Sequence, residues 1–166
     1  YNRALLEAAK REVSEAIEIE IYDDGLGIPL FNQDSEGDLT PEVVLELRER
    51  IRSADAVLIA APEYNNSITG VLKNLIDWAS RPYGQSSFTD KPVSVVGASP
   101  SRFGAQLSQE TTITVLKSAR AMVVGGPHPV KEAAGLVDSE GNIEDGATLE
   151  MLRQVLSELG EAAVSD

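Results

Sequence analysis

The sequence predicts an α/β protein in which a parallel sheet is covered by helices on both faces, because buried strands and helical patterns alternate along it. Two runs, residues 56–62 and 91–99, are apolar at nearly every position. Such runs are typical of parallel strands that are buried on both faces, and residues 56–62 are expected to form a central strand. No repeat or linker interrupts the 166 residues, so we expect residues 1–166 to form one domain around one core.

The first third of the chain predicts a helix, an alternating strand, a loop and a second helix. Apolar side chains recur at helical spacing in residues 5–13, and residues 16–23 alternate isoleucine with glutamate, as in a half-exposed strand at or near a sheet edge. Residues 24–39 are a loop rich in glycine and acid. Thr40 is expected to cap the helix that Pro41 begins. The inner face of that helix is expected to hold Val43, Val44, Leu47 and Ile51.

The remaining elements continue the alternation. Apolar positions in residues 72–79 predict a helix that stops near Pro82. A helix is expected at about 106–120, although its β-branched residues are weak helix formers. Residues 121–127 are a short apolar strand, and 149–159 mark a closing amphipathic helix.

Two polar loops follow the two buried strands, at 62–67 and 98–104. In open α/β sheets ligands bind beyond the carboxyl ends of the strands. These two loops are therefore the expected site of function.

The first loop carries the sequence Glu63-Tyr64-Asn65-Asn66. Amides and free backbone groups suit a flat heterocycle with carbonyls and ring nitrogens, and Tyr64 could pack on such a ring or on its own scaffold. The alternative is structural, because Asn65, Asn66 or Ser67 could cap the helix that follows. The residues alone leave both interpretations open.

The composition excludes several kinds of site. The chain has no cysteine and a single histidine, which rules out a disulfide framework, a thiolate zinc site and a histidine-rich metal site. We expect no metal site. The formal charge of −13 repels nucleic acid and anionic lipid, so neither nucleic acid nor a membrane is an expected partner. The absence of cysteine favours the cytoplasm.

The stretch from Pro62 to Trp78 carries a longer pattern. "PEYN", then Gly70, then "LKNLIDW" resembles the NAD(P)H-dependent FMN reductase family, and the likeness extends to "IPLF", "RSADAVLIAAPEYN", "KPVSVVGAS" and the final helix. The resemblance implies a flavodoxin-like, doubly wound, five-stranded parallel sheet. It also implies an enzyme that takes hydride from NADPH or NADH and passes electrons from FMN to a small acceptor such as a quinone, azo compound, metal oxyanion or flavin. A homodimer or homotetramer is implied as well.

The same resemblance implies cofactor-binding residues. The first loop would contact the flavin ring and its ribityl arm largely through backbone atoms, and Ser99 would approach the cofactor from the second loop. Tyr1 and Asn2 match the tail of the family's phosphate loop, so the first strand and most of that loop are expected to precede this chain. No catalytic acid or base is implied. The residues assigned to the cofactor are Asn2, Pro62, Glu63, Tyr64, Asn65, Asn66 and Ser99.

Several alternatives remain open. A flavodoxin-type electron carrier would bind FMN without oxidising NAD(P)H. Arg102 could meet a cofactor phosphate or an anionic substrate, or be solvated, and Phe103 could cover the ring face or pack on the next helix. His128 is expected in a late loop, where a structural or solvated role is favoured over catalysis. Lys73 and Asp77 are spaced to pair on one helix face.

Overall fold

In a computed structural model, which describes residues 1–14 and 16–165, a parallel sheet lies between two layers of helices. The helices are α1 (Asn2–Glu12), α2 (Glu42–Ser53), α3 (Gly70–Ala79), α4 (Gln106–Ser118) and α5 (Gly146–Ala163). The strands are β1 (Val57–Ala60), β2 (Glu63–Tyr64), β3 (Ser67–Ile68), β4 (Pro92–Ala98), β5 (Met122–Val123) and β6 (His128–Val130). The order of helices and strands confirms the predicted α/β class. No helix in the described ranges is both long and apolar enough to cross a bilayer.

Strand β4 is the centre of the sheet, and all seven of its residues are buried. β1 lies parallel to it on one side, with Val57 opposite Val93 and Ala60 opposite Val96. On the other side β5 pairs with the start of β4 and β6 with its end, both parallel. Two short strands thus share one position, and the described sheet is three positions wide.

Successive side chains of β4 point to opposite faces of the sheet and build two cores. Val95 belongs to a buried cluster with Ile76 of α3 and Leu116 of α4. Val96, its neighbour, belongs to a cluster with buried apolar residues of α1 and α5, among them Leu5. Helices therefore cover both faces, as the sequence predicts.

The loop before α2 is held by α3. The Trp78 indole donates a hydrogen bond to the carbonyl of Pro29 at 2.8 Å, and the Asn74 amide donates to the same carbonyl at 3.0 Å. The Asn74 carbonyl oxygen accepts from the N–H of Phe31, whose ring meets Trp78 edge-on at 4.9 Å. The conspicuous polar and aromatic residues of "LKNLIDW" thus support the scaffold. The predicted Lys73–Asp77 pair forms at 2.6 Å on the same helix.

The strand predicted at residues 16–23 is wrong, because the described part of this segment pairs with no other strand. Ile19 still packs against the core of α1 and α5, whereas Ile17 remains exposed. Alternation places side chains on two sides of an extended backbone, but a strand also requires a neighbour that takes up its N–H and C=O groups. Glu15, just before it, lies outside the described residues.

Three other expectations change. β1 has a neighbour on one side only and its residues are half-buried, so within the described residues it is an edge strand and not a central one. Residues 128–130, expected in a loop, form β6. This strand was missed because Pro129 lacks an N–H, which is tolerated where only one edge is paired. Val43 is exposed, while Val44 and Leu47 are buried as expected.

The predicted cap at Thr40 is also wrong. Pro41 occupies the cap position of α2, since its carbonyl accepts the first helical hydrogen bonds, from Val44 and Leu45. Thr40 lies one residue too early, and its own N–H bonds to Gly37 in a preceding 3-10 turn. The start of α2 therefore has no side-chain acceptor at its cap position.

α5 has the side-chain cap that α2 lacks. The carboxylate of Asp145 accepts from the backbone N–H of Thr148 at 2.8 Å and from its hydroxyl at 2.7 Å. The hydroxyl bond, followed by the backbone bond, lowers the pKa of Asp145. The charged carboxylate is thus favoured in the folded protein.

We expect Asp145→Ala to lower the free energy of unfolding by about 1 kcal/mol at pH 7, as loss of a cap does. Because the folded-state pKa is lowered, this stabilisation is present above the carboxyl's ordinary pKa and is lost as the pH falls through the folded value. Urea unfolding at successively lower pH measures the difference. Thr40→Ala is the control and should change stability by no more than about 0.5 kcal/mol. A larger loss of stability in Thr40→Ala would show that Thr40 does cap α2.

Candidate functional site

The parallel pairing of β1 and β4 brings the two polar loops to the same edge of the sheet, as the sequence predicts. The pairing continues past β1, where the N–H of Ala61 donates to the carbonyl of Val96 at 2.8 Å. The first loop leaves the sheet at Pro62 and the second begins at Ser99. The carboxyl edge therefore carries both candidate segments.

The first loop is a β-hairpin. β2 and β3 are its strands, and Asn65 and Asn66 form the two-residue turn, with φ of 53° and 60°. Two successive residues in the left-handed region define the turn type that fits a tight hairpin, and asparagine tolerates that region. α3 is instead capped by Thr69, whose hydroxyl accepts from the N–H of Leu72 at 3.3 Å. The interpretation of Asn65, Asn66 or Ser67 as the cap is therefore wrong.

The hairpin is fixed at its base to the first turn of α4. The Glu63 carboxylate accepts from the N–H of Ser108 at 3.0 Å, where the helix end favours a negative charge. The Ser108 hydroxyl, fully buried, donates to the carbonyl of Pro62 at 2.8 Å. The side chain of Glu63 thus faces the helix.

The tip of the hairpin is open to solvent. Tyr64 is 70% exposed, and Asn65 and Asn66 are exposed as well. Within residues 1–14 and 16–165, the side chains of these three residues make no hydrogen bond to the protein, so their amide and phenol groups are free for a ligand. The hairpin therefore presents an aromatic ring and two amides at the sheet edge.

The second loop is held against β6. The N–H of Ser99 donates to the carbonyl of Val130 at 3.2 Å, and the carbonyl of Ser99 accepts from Ala133 at 3.0 Å. Gly104 lies at φ +61°, and a Cβ there would come within 2.9 Å of the backbone of Val130. Only glycine allows so close an approach in this conformation. Ser99 is half-buried beside the end of β4.

Asn2 joins α1 to the same edge. Its amide nitrogen donates to the carbonyl of Ala98 at 3.0 Å, and its amide oxygen accepts from the N–H of Ala98, also at 3.0 Å. These two bonds hold the start of α1 beside the end of β4. The first N–H groups of a helix have no partner within it and attract anions. The Asn2 side chain thus positions a helix N-terminus that is suited to binding a phosphate.

The structure also places Arg102, Phe103 and His128, three residues for which the sequence left alternative roles open. Arg102 is exposed and stacks over the ring of Phe103 at 4.8 Å, and Phe103 itself is exposed and not packed against α4. His128 is half-buried on β6, where burial lowers its pKa and the charge of Glu158 acts in the opposite sense. Its Nε2 is buried without a partner among the described residues, close to Gly125. Neutral imidazole is the form favoured there.

The sequence analysis missed two residues of α4. Ser108 and Gln109 are both fully buried, and both bond to the segments at the sheet edge. The available signal was a pair of polar residues at inward-facing positions of a helix, which predicts polar partners. Gly104 is five residues before Gln109, but Pro62, Glu63 and His128 come from distant parts of the chain and were not identifiable from spacing.

The groups gathered at this edge suit a flat heterocycle that carries a phosphate. The hairpin supplies amides and a phenol ring, and the start of α1 supplies an anion-attracting helix end. The second loop adds the Ser99 hydroxyl, which already accepts from the N–H of Ser101 and donates to its hydroxyl, both at 3.1 Å. Among the described residues, no group of three or more His, Cys, Asp or Glu side chains is placed to hold a metal ion.

Comparison with known proteins agrees with this geometry. The family model described as NADPH-dependent FMN reductase matches residues 1–135. The chain is 40% identical over 160 residues to an NAD(P)H-dependent FMN reductase of Pseudomonas aeruginosa, covering 96% of this chain and 85% of that protein. It is 34% identical over 154 residues to a 2-hydroxy-1,4-benzoquinone reductase of Burkholderia, covering 92% of this chain and 83% of that protein.

A solved structure is similar over nearly the whole chain. The flavoenzyme NAD(P)H:(acceptor) oxidoreductase of Paracoccus denitrificans superimposes with a TM-score of 0.85 at 32% identity, covering 98% of this chain and 88% of that one. The predicted flavodoxin-like fold, the enzyme class and the cofactors FMN and NAD(P)H are thereby confirmed. The chain belongs to the NADPH-dependent FMN reductase family, and it is a flavin-dependent oxidoreductase that uses NAD(P)H.

Proposed function

We propose that this oxidoreductase holds FMN at the carboxyl edge of its sheet and uses it to reduce a quinone with electrons from NAD(P)H. The observation that carries the assignment is the exposed tip of the hairpin, where Tyr64, Asn65 and Asn66 lie at the ends of parallel strands. The quinone as acceptor is supported by relatives named as quinone and benzoquinone reductases.

Six of the seven assigned residues would lie at one end or the other of the cofactor, and the seventh would lie between these two groups. Pro62, Glu63, Tyr64, Asn65 and Asn66 would hold the ring and the adjoining arm, with Glu63 acting through its bond to α4 and not by direct contact. Asn2 would act at the phosphate end by fixing the start of α1, and Ser99 would lie between the two groups. The assignment is supported by free polar groups at one end and an unpaired helix start at the other.

The chain's own part in the reaction is to bind and to orient. When bound, FMN supplies the hydride chemistry, accepting from the nicotinamide and donating to the acceptor. Backbone N–H groups and side-chain amides can hold the ring and stabilise negative charge on it without a titrating side chain. The exposed hairpin tip leaves room for a second planar molecule beside Tyr64. A chain with no cysteine and one half-buried histidine is compatible with this chemistry.

The proposal extends to the oligomeric state and the cellular location of the protein. Leu26, Leu30 and Tyr83 are 87%, 85% and 89% exposed, which supports burial of their surface in a homodimer or homotetramer. Residues 1–166 would form one domain with this site, and the protein would act in the cytoplasm. The charge of −13 supports small molecules, and not nucleic acid or membranes, as partners.

We expect the full-length protein to bind FMN with one site per chain. Titration of the protein into FMN should quench the flavin fluorescence to a stoichiometric endpoint, and the bound form should show the visible bands of an oxidised flavin. A protein that stays colourless after incubation with FMN, and quenches nothing, would contradict the site.

We expect NADPH or NADH to bleach the bound flavin within seconds in anaerobic stopped-flow mixing, and a benzoquinone to restore its colour. This follows from alternate binding of the nicotinamide and the acceptor at one exposed ring face. If neither nucleotide bleaches the flavin while a chemical reductant does, the protein is an electron carrier of the flavodoxin type.

We expect Asn65→Gly to weaken FMN binding by roughly fivefold or more, the loss of about one hydrogen bond. Glycine adopts the left-handed turn conformation without strain, so the hairpin is kept and only the amide is removed. Fluorescence titration of the folded variant gives the dissociation constant.

Asp90→Gly is the matched control for that variant. Asp90 is also exposed, and its backbone is also in the left-handed region, with φ of 58°. It precedes the amino end of β4, at the opposite end of the strands from the site. Its FMN affinity should equal that of the wild type. If the wild type, Asn65→Gly and Asp90→Gly bind FMN with equal affinity, the amide of Asn65 does not contact the cofactor and Asn65 serves only as a turn residue.

A further inference from the structure

Gln109 of α4 is a fully buried polar side chain whose two polar atoms bond to different segments. Its amide nitrogen donates to the carbonyl of Gly104 at 3.1 Å, at the end of the second loop. Its amide oxygen accepts from the N–H of His128 at 2.7 Å, at the start of β6. One side chain therefore joins the helix, the loop and the last strand.

The sheet leaves space for this amide at Gly97. A Cβ built on Gly97 would lie 2.7 Å from the nitrogen of Gln109 and 3.0 Å from the carbonyl of Ala61. Neither contact is tolerated without movement. The absence of a side chain at Gly97 is thus what allows the Gln109 amide to lie over the end of β4, between the starts of the two site loops.

The neighbouring residue, Ser108, completes the connection to the hairpin. Its N–H and hydroxyl bond to Glu63 and to Pro62 at the hairpin base. Two adjacent residues in the first turn of α4 therefore hold all three segments at the carboxyl edge. Since the helix is rigid, the position of the hairpin relative to the second loop depends on this turn.

We propose that Gln109 is a positioning residue for the cofactor site, and that it sets the distance between the hairpin and the Ser99–Gly104 loop; this inference rests on the proposed site of FMN. Glutamine fits this role because it is both donor and acceptor and uncharged, so both bonds form without a buried charge. An apolar side chain of equal length would fill the space but would leave Gly104 and His128 unpaired. Gln109 itself touches neither cofactor nor substrate.

The test compares Gln109→Met with the wild type in the full-length protein. Methionine has nearly the same length but makes neither bond. We expect the FMN dissociation constant of the folded variant, measured by fluorescence quenching, to rise by roughly tenfold, as two lost hydrogen bonds would give if they act through the loops. The visible circular dichroism of the bound flavin should change as well, because it reports the asymmetry around the ring.

Ser94→Ala is the matched control. The buried hydroxyl of Ser94 donates to the carbonyl of Val124 at 2.7 Å, so the variant also loses a buried side-chain bond to the backbone, but in the middle of β4. Its stability in urea should fall while its FMN affinity and flavin dichroism stay unchanged. A fall in affinity equal to that of Gln109→Met would show that any loss of sheet stability weakens binding, and would overturn the positioning role.

Gly97→Ala displaces the Gln109 amide in a second way, because the added Cβ would lie 2.7 Å from its nitrogen. It should weaken FMN binding in the same sense as Gln109→Met, and the loss of binding in the double variant should be smaller than the sum of the two single losses, because both changes disturb the Gln109 amide. Additive losses would overturn the proposal, as would a Gln109→Met variant with wild-type affinity and dichroism. Failure of the wild type to bind FMN is a different result, which would contradict the proposed function itself.

Discussion

The structure depends on the burial of β4, whose seven residues are removed from water. Every backbone N–H and C=O in such a strand must be paired within the protein, since an unpaired buried group is costly. β1 provides pairing on one side, and β5 and β6 together provide it on the other. The alternate valines of β4 then hold α1 and α5 on one face and α3 and α4 on the other. The positions of these four helices follow from that one strand, while α2 packs against Trp78 of α3.

The same strand decides where the two polar loops of the candidate site lie. Parallel strands end at one edge, so the hairpin after β1 and the loop after β4 must leave the sheet together. β4 ends in Gly97 and Ala98, small residues that let the Gln109 amide and the Asn2 amide approach the backbone. The tight packing at the end of β4 thus fixes the two loops, and the polar groups a few residues further along are available to a ligand.

The exposed polar cluster at residues 63–66 has a defined geometry because it is part of a hairpin. Asn65 and Asn66 adopt the left-handed region, which puts their amides and Tyr64 at a fixed tip, while Glu63 turns back to the start of α4. The carboxylate is used to anchor and the amides are left free. An oxidoreductase that relies on a bound flavin needs this arrangement more than it needs an acid or a base, because its protein groups orient and stabilise rather than transfer protons.

The sequence by itself determined the α/β class, the buried strand at 91–99, the five helices, the family and the edge at which the polar loops meet. These are local patterns of hydrophobicity or a contiguous motif, and neighbouring residues specify them. Only the tertiary structure decided that residues 16–23 are unpaired, that Thr69 and not Asn65 caps α3, and that Gln109 joins the loop to β6. The partner of Gln109 lies 19 residues along the chain, the segment 16–23 lacks a neighbouring strand, and the cap of α3 depends on where the hairpin ends and the helix begins. Spacing along one helix predicts a local pair such as Lys73–Asp77, but a partner on another element is set by tertiary packing.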